Sequence, residues 1–185
     1  MTITQITKNI TQINNDSNIY IIKDLNLAID AGNKQYNQQT KQDLIQTINS
    51  NKIKTIILTH LHYDHIGCYK LFPNAKFYTT KETIQNLKTN KLNYTVKEME
   101  IPKLHPIEEL KLPNQYQIIK TPGHCKSCIC IYDKKNKILF SGDTLFNNNY
   151  IGRTDLPNSD PEKIKNSLNK LKQLKIKTLC PGHNY

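Results

Sequence analysis

Five histidines and two aspartates fall into short polar motifs whose side chains are metal-ligand types. The first motif is His60-Leu61-His62-Tyr63-Asp64-His65, with three imidazoles and a carboxylate within six residues. Three more donors follow: His124 in Thr121-Pro122-Gly123-His124, Asp143 in Ser141-Gly142-Asp143, and His183 in Cys180-Pro181-Gly182-His183. Imidazole and carboxylate suit zinc and iron. Seven donors are enough for two ions, with Asp143 able to bridge. A lone histidine is more often a surface or hydrogen-bonded core residue, and His105 reads that way. The same excuse for seven donors, each near the end of an apolar run, needs many coincidences.

Short apolar runs must position these motifs. Asn18–Lys23 and Leu25–Asp30 read as strands, closed by the turn Ala31-Gly32. A helix is expected over 37–49, with Leu44, Ile45 and Ile48 on one face. Ile53–Leu58 reads as a buried strand that delivers His60. Short helices are expected over 66–72 and 80–88, around a strand at Ala75–Tyr78. From 90 to 112 the pattern is weak, broken by Pro102 and Pro106. Tyr116–Lys120 reads as a strand leading to His124. Cys128–Tyr132 and Lys137–Phe140 form a hairpin across the polar turn Asp133–Asn136. Asp160 and Pro161 suit the start of a helix whose stripe is Ile164, Leu168, Leu171 and Leu174. A last strand, Ile176–Leu179, delivers His183. Without a linker or an internal repeat, residues 1–185 read as one domain.

In its order of motifs the chain resembles the metallo-β-lactamase superfamily: His-x-His-x-Asp-His, a distant Gly-His, Ser-Gly-Asp and a final Gly-His. The resemblance runs from Asp30-Ala31-Gly32 to Pro181-Gly182-His183 and implies an α/β fold, a four-layer αββα sandwich. Thr121–His124 and Ser141–Phe146 look most like the glyoxalase II (hydroxyacylglutathione hydrolase) branch. Carried over by position, one metal would take His60, His62 and His124. The other would take Asp64, His65 and His183, with Asp143 bridging. The resemblance implies two divalent ions, zinc first, with iron or manganese as alternatives.

Such a centre implies a metallo-hydrolase. A metal lowers the pKa of its bound water from about 15.7 to about 7, so a bridging hydroxide can attack a thioester or related acyl carbon. Asp64 fixes the second metal and can hold the nucleophile's hydrogen bond, which makes it the expected catalytic residue. Arg153, in Ile151-Gly152-Arg153-Thr154-Asp155, is the only arginine beside 25 lysines. It reads equally as a bidentate ligand for a substrate carboxylate or as a salt bridge to Asp155 or Asp143. A basic residue after the corresponding glycine helps bind glutathione in glyoxalase II, which supports the first reading. The sequence reaches Asn184-Tyr185 directly after the last motif, so the resemblance does not extend to that enzyme's helical C-terminal domain. The rival inside the family is a persulfide dioxygenase with one iron on the equivalents of His60, His124 and Asp143. A nuclease of the same fold and a non-catalytic metal-binding module are the remaining alternatives.

Composition narrows the partners. The net charge is +11, but the lysines are scattered, which reads as a solvated surface rather than a phosphate-tracking patch. A small-molecule thioester is therefore expected rather than nucleic acid. No stretch approaches the roughly 20 apolar residues of a membrane span. Met1–Lys8 lacks the apolar core of a secretory signal, so a cytoplasmic monomer or homodimer with reduced thiols is expected. Cys125-Lys126-Ser127-Cys128-Ile129-Cys130 resembles a metal or redox motif but has no second pair to complete a tetrahedral site. Cys128 and Cys130 alternate with Ile129 and Ile131 as on a buried strand, which favours a structural role.

Overall fold

A strand covered on both faces needs apolar residues at consecutive positions, because successive side chains point to opposite sides. Ile19-Tyr20-Ile21-Ile22 has that character, and all four residues are buried. A computed structural model describes residues 2–34, 38–88 and 100–184 of the chain. One sheet runs in the order β1 (Thr2–Thr7), β2 (Ile10–Asn15), β3 (Ser17–Ile22), β4 (Leu27–Ile29), β5 (Thr55–Ile57), β6 (Lys76–Thr79) and β7 (Leu104–Pro106). Its first four strands are antiparallel, and β4 to β7 are parallel. The second sheet contains β8 (Tyr116–Lys120), β9 (Ile129–Asp133), β10 (Ile138–Gly142) and β11 (Thr178–Pro181), in the order β11-β10-β9-β8. There β8 to β10 are antiparallel, while β10 and β11 are parallel.

Alternation along the strands sorts the apolar residues into three layers. Tyr20, Ile22, Ile29 and Ile57 meet Ile129, Ile131, Ile138 and Phe140 between the sheets. Ile19, Ile21, Ala28 and Ile56 face the other way, against Leu44 and Ile48 of α1 (Gln38–Ile48) and Leu87. Tyr63–Ile66 forms α2, and Leu87 belongs to α3 (Lys81–Lys88). Cys130, Tyr132 and Leu139 face outward onto Leu171 of α4 (Pro161–Lys172). The result is the expected four-layer αββα sandwich.

Several local expectations need correction. Strands β1 and β2 went unread because Thr2–Thr7 and Ile10–Asn15 are rich in Thr, Gln and Asn. The buried polar groups of β2 are satisfied by distant partners: Gln12 Nε2 donates to Asn184 Oδ1 at 2.8 Å, and Asn15 Nδ2 to the Asn33 carbonyl at 2.9 Å. β7 ends in Pro106 but is the edge strand, where a missing N–H is tolerated. Helical turns come at Tyr63–Ile66 and Tyr69–Leu71 rather than continuously over 66–72. Asp160 stands at the N-cap of α4 without capping it; its carboxylate pairs with Lys163 at 2.8 Å. Position 37 of the expected helix, and 90–99 of the weak stretch, lie outside the described residues. Among the described residues no helix is long and apolar enough to cross a membrane.

Phe140 is fully buried between the sheets, its ring edge-on to Tyr20 at a centroid distance of 5.3 Å. Phe140→Ala is expected to destabilise the fold by about 3–5 kcal/mol, read as a lowered midpoint in chemical denaturation.

Candidate metal centre

Parallel pairing brings strand ends together. The C-terminal ends of β4 and β5 lie side by side, with Ile29 opposite Ile57, and those of β10 and β11 likewise, with Gly142 opposite Pro181. Asp30 directly follows β4 and Asp143 directly follows β10, while His60 comes three residues after β5 and His183 two residues after β11. The Ile129 N–H donates to the Thr59 carbonyl at 3.0 Å and joins the two sheets near this edge. The β11 loop is fixed to β3, since Asn18 Nδ2 and Tyr20 Oη both donate to the Pro181 carbonyl, at 2.9 and 2.8 Å. His124 arrives on the loop after β8, and Asp64 and His65 on α2.

All seven predicted donors converge at this edge, whereas His105 lies on β7 with its ring against Tyr78. Among the described residues, three groups of side chains could hold a metal ion: His60 with His62 and His124, His60 with His65 and Asp143, and Asp64 with His65 and His183. Asp143 sits at the centre. Its Oδ2 lies 3.4 Å from His124 Nε2, 3.5 Å from His183 Nε2 and 4.0 Å from His60 Nε2. Its Oδ1 is 3.3 Å from His65 Nε2, and Asp64 Oδ2 is 3.1 Å from His183 Nε2.

Outer partners determine which nitrogen each ring turns inward. His65 Nδ1 meets Asp30 Oδ2 at 2.9 Å, His124 Nδ1 donates to the Arg153 carbonyl at 2.8 Å, and His183 Nδ1 to the Asp16 carbonyl at 3.1 Å. The Thr59 hydroxyl donates to Asp30 Oδ2 at 2.8 Å, so at 3.1 Å it accepts from His60 Nδ1. With Nδ1 donating in all four rings, Nε2 is the nitrogen that each turns to the centre. His62 turns Nδ1 inward instead, 3.1 Å from His60 Nε2 and 2.8 Å from His124 Nε2. Lone pairs facing one another in a buried site suit a cation. Asp143 Oδ1 adds to the fit, because it is buried with no well-aligned hydrogen bond, only the His65 ring at 3.3 Å.

The electrostatics divide the histidines. Burial, reinforced by neighbouring imidazoles, lowers His62 to about 4 and holds His60 well below the ordinary range. Burial also lowers His124, despite the nearby Asp143. For His65, burial opposes protonation, but Asp143 and Asp30 outweigh it and raise the group well above its usual value. In His183 burial is likewise outweighed, by hydrogen bonds to Asp143 and Asp64, and the imidazole is pushed up to about 9. Both carboxylates are lowered against burial, Asp143 by His65 and His183, and Asp64 by His183 and His65.

Two glycines permit this crowding. A Cβ at Gly182 would lie 2.1 Å from Asp143 Oδ1, and one at Gly152 would lie 2.1 Å from the Asp143 carbonyl and 2.9 Å from the His124 ring. Next to Gly152 the Arg153 guanidinium is exposed and forks onto Asp155 at 2.9 and 3.0 Å, not onto Asp143. Arg153 therefore meets the centre through its backbone carbonyl. A cavity of about 400 Å³ opens beside His124 and Asp143, lined also by Phe146, Tyr150, Ile151, Gly152 and Arg153.

The family model of the metallo-beta-lactamase superfamily matches residues 14–183. The chain belongs to this superfamily. A probable metallo-hydrolase of Methanocaldococcus jannaschii is 33% identical over 90% of this chain and 87% of its own. A hydroxyacylglutathione hydrolase of Buchnera aphidicola is 32% identical over 78% of this chain, and the match spans 54% of that enzyme. Against the hydroxyacylglutathione hydrolase of Francisella tularensis the span is 52%, so the chain matches about half the length of these two relatives. Among solved structures, the BLEG-1 B3 metallo-beta-lactamase superposes with a TM-score of 0.71 at 26% identity, covering 95% of this chain and 92% of that one. A protein crystallised in a di-iron-bound form, TTHA1623, has a TM-score of 0.66 at 25% identity, covering 100% and 93%. The superfamily makes the chain a metallo-hydrolase by kind, with a His/Asp cluster able to bind metal.

Asp30 is the functional residue that the sequence reading placed but gave no role. Its signal was an aspartate at a strand end before a glycine turn; its backbone is left-handed, at φ 59°. Besides His65 and the Thr59 hydroxyl it accepts the Thr59 N–H at 2.7 Å. Asp30→Ala is expected to weaken metal affinity about 10–100-fold in competition with a chromogenic chelator. Proton release gives an independent check. Ligation needs neutral imidazole, yet His65 and His183 carry protons at pH 7 in the metal-free chain. Zinc uptake at pH 7 should therefore release protons, and affinity should climb with pH through about 9, where His183 loses its own. Calorimetry in buffers of differing ionisation enthalpy measures this release.

Proposed function

We propose that this protein is a two-metal hydrolase that cleaves a thioester or a closely related acyl bond of a small molecule. The observation that carries the reading is the set of inward-turned donors, His60, His62, Asp64, His65, His124, Asp143 and His183, beside an open cavity with an apolar wall. We assign His60, His62 and His124 to one ion and Asp64, His65 and His183 to the other, with Asp143 between them. When bound, two divalent ions, zinc first among them, supply a hydroxide at neutral pH and polarise an acyl carbonyl.

The chain's own residues do the rest. Asp64, held by His183 at 3.1 Å, keeps its carboxylate charged and accepts a hydrogen bond from the attacking water. A thiolate leaves with little protonation help, so the reaction needs no general acid from the cavity lining. Phe146, Tyr150 and Ile151 offer apolar surface to the organic part of the substrate; Tyr150 and Ile151 are 63% and 41% exposed. Arg153, already forked onto Asp155, exchanges that partner for a substrate carboxylate at the cavity mouth. The hydroxyacylglutathione hydrolase relatives support a thioester as the scissile bond.

Elemental mass spectrometry should find two divalent metals per chain, and a thiol-detecting assay should follow hydrolysis of a panel of acyl thioesters. Since outer partners of metal ligands are worth about 10–100-fold, His62→Ala and Asp64→Ala are expected to reduce turnover at least about 100-fold. Unchanged turnover in both variants would overturn the hydrolase reading. A single iron, with oxygen consumed on a persulfide, would replace it with the dioxygenase.

A further inference from the structure

The Cys125-Lys126-Ser127-Cys128 run is not used by the metal centre described above. None of the five cysteines is disulfide-bonded, and all are buried. Three have structural surroundings. Cys68 donates to the Asn33 carbonyl at 2.8 Å, Cys130 lies against Thr121 Oγ1 and the Ser141 carbonyl, and Cys180 packs between the sheets. Cys128 departs from the strand placement expected of it: β9 begins one residue later, and Cys128 turns back toward Cys125.

The two sulfurs are 2.7 Å apart, within about 0.7 Å of the roughly 2.05 Å bond of a disulfide. The loop is already folded around them. The Cys125 N–H donates to Cys128 Sγ at 3.2 Å, the Cys128 N–H to the Cys125 carbonyl at 3.5 Å, and the Thr121 N–H to the Cys128 carbonyl at 2.9 Å. Closing the pair thus needs little backbone movement, and the second thiol is present at high effective concentration once the first has reacted. Cys128 also lines a separate cavity of about 250 Å³. Lys120, Lys126, Lys163 and Lys170 line it together with Glu82. Lys120 pairs with Glu82 at 3.7 Å and Lys163 with Asp160 at 2.8 Å, which leaves a surplus of positive charge.

We propose that Cys125 and Cys128 form a redox site that closes to a disulfide by exchange with an anionic low-molecular-weight disulfide entering through the lysine-lined cavity. Cys128 Sγ gives up its proton and attacks one sulfur of the oxidant, forming a mixed disulfide and releasing one thiol. Cys125 Sγ, also deprotonated, then attacks Cys128 Sγ and expels the second thiol. The protein loses two electrons and two protons, and the oxidant becomes two thiols. Excess thiol reverses both steps. The site follows the proposed ligand His124 directly in sequence but does not depend on the hydrolase reading.

The test uses reduced, metal-loaded full-length protein treated with oxidised glutathione, then acid-quenched, denatured, alkylated and weighed. Alkylatable thiols are expected to fall from five by two, with a Cys125–Cys128 cross-link in the digest and full recovery in excess reduced glutathione. Cys125→Ser should trap glutathione on Cys128, and Cys128→Ser should retain its remaining thiols. The cationic disulfide cystamine should react several-fold more slowly. Persistence of all five thiols, or a cross-link to another cysteine, would overturn the redox site. Equal or faster reaction with cystamine would overturn entry through the lysine-lined cavity.

Discussion

Asp143 is a charged carboxylate almost wholly removed from solvent, and the arrangement of the metal edge follows from that burden. An isolated buried carboxylate is strongly disfavoured unless cations or hydrogen-bond donors surround it. Here His65 and His183 supply the largest compensation, and they are the histidines whose protonated forms are favoured. His60, His62 and His124, further from the two carboxylates or crowded by one another, are held neutral. The metal-free edge is thus a compromise between two charged rings and three neutral ones. Cations at the same position would take the lone pairs of the neutral rings and displace the protons of the charged ones.

Holding so many polar groups at one point requires a scaffold that does not yield. The two parallel strand pairs, β4–β5 and β10–β11, end at the same edge, and three apolar layers keep them there. Rigidity passes into the site through backbone carbonyls and short side chains. Arg153, Asp16, Thr59 and Asp30 each hold the Nδ1 edge of a histidine ring. Gly182 and Gly152 let the chain pass where any side chain would collide with Asp143. The segment from Phe146 to Arg153 is different in kind. It is exposed and irregular over most of its length and lines the cavity, so Tyr150 and Ile151 can vary while Gly152 and the Arg153 carbonyl keep their places against Asp143 and His124.

The basic character of the chain acquires a local meaning only in three dimensions. Scattered in sequence, Lys120, Lys126, Lys163 and Lys170 come from β8, the following loop and α4, yet line one cavity. Arg153 shows the opposite relation, because its singularity in the sequence drew attention to a guanidinium that pairs with a carboxylate two residues away.

The donor set and its order were legible in the sequence because metal-ligand residues are few in type and sat at the ends of apolar runs. Both-sided strands such as Ser17–Ile22 and Ile129–Asp133 were legible for the same local reason, their continuous hydrophobicity. Strands β1 and β2 were not, since their polar residues are accommodated by partners such as Asn184 and Asn33 that are remote in sequence. Nor could the sequence say that Asp30 orients His65 across 35 positions, or that the Arg153 carbonyl orients His124 across 29. Composition and periodicity report what a residue is and which face it occupies. Which nitrogen each imidazole turns inward was decided by the tertiary structure alone, because a hydrogen bond depends on distance and angle between groups that only folding brings together.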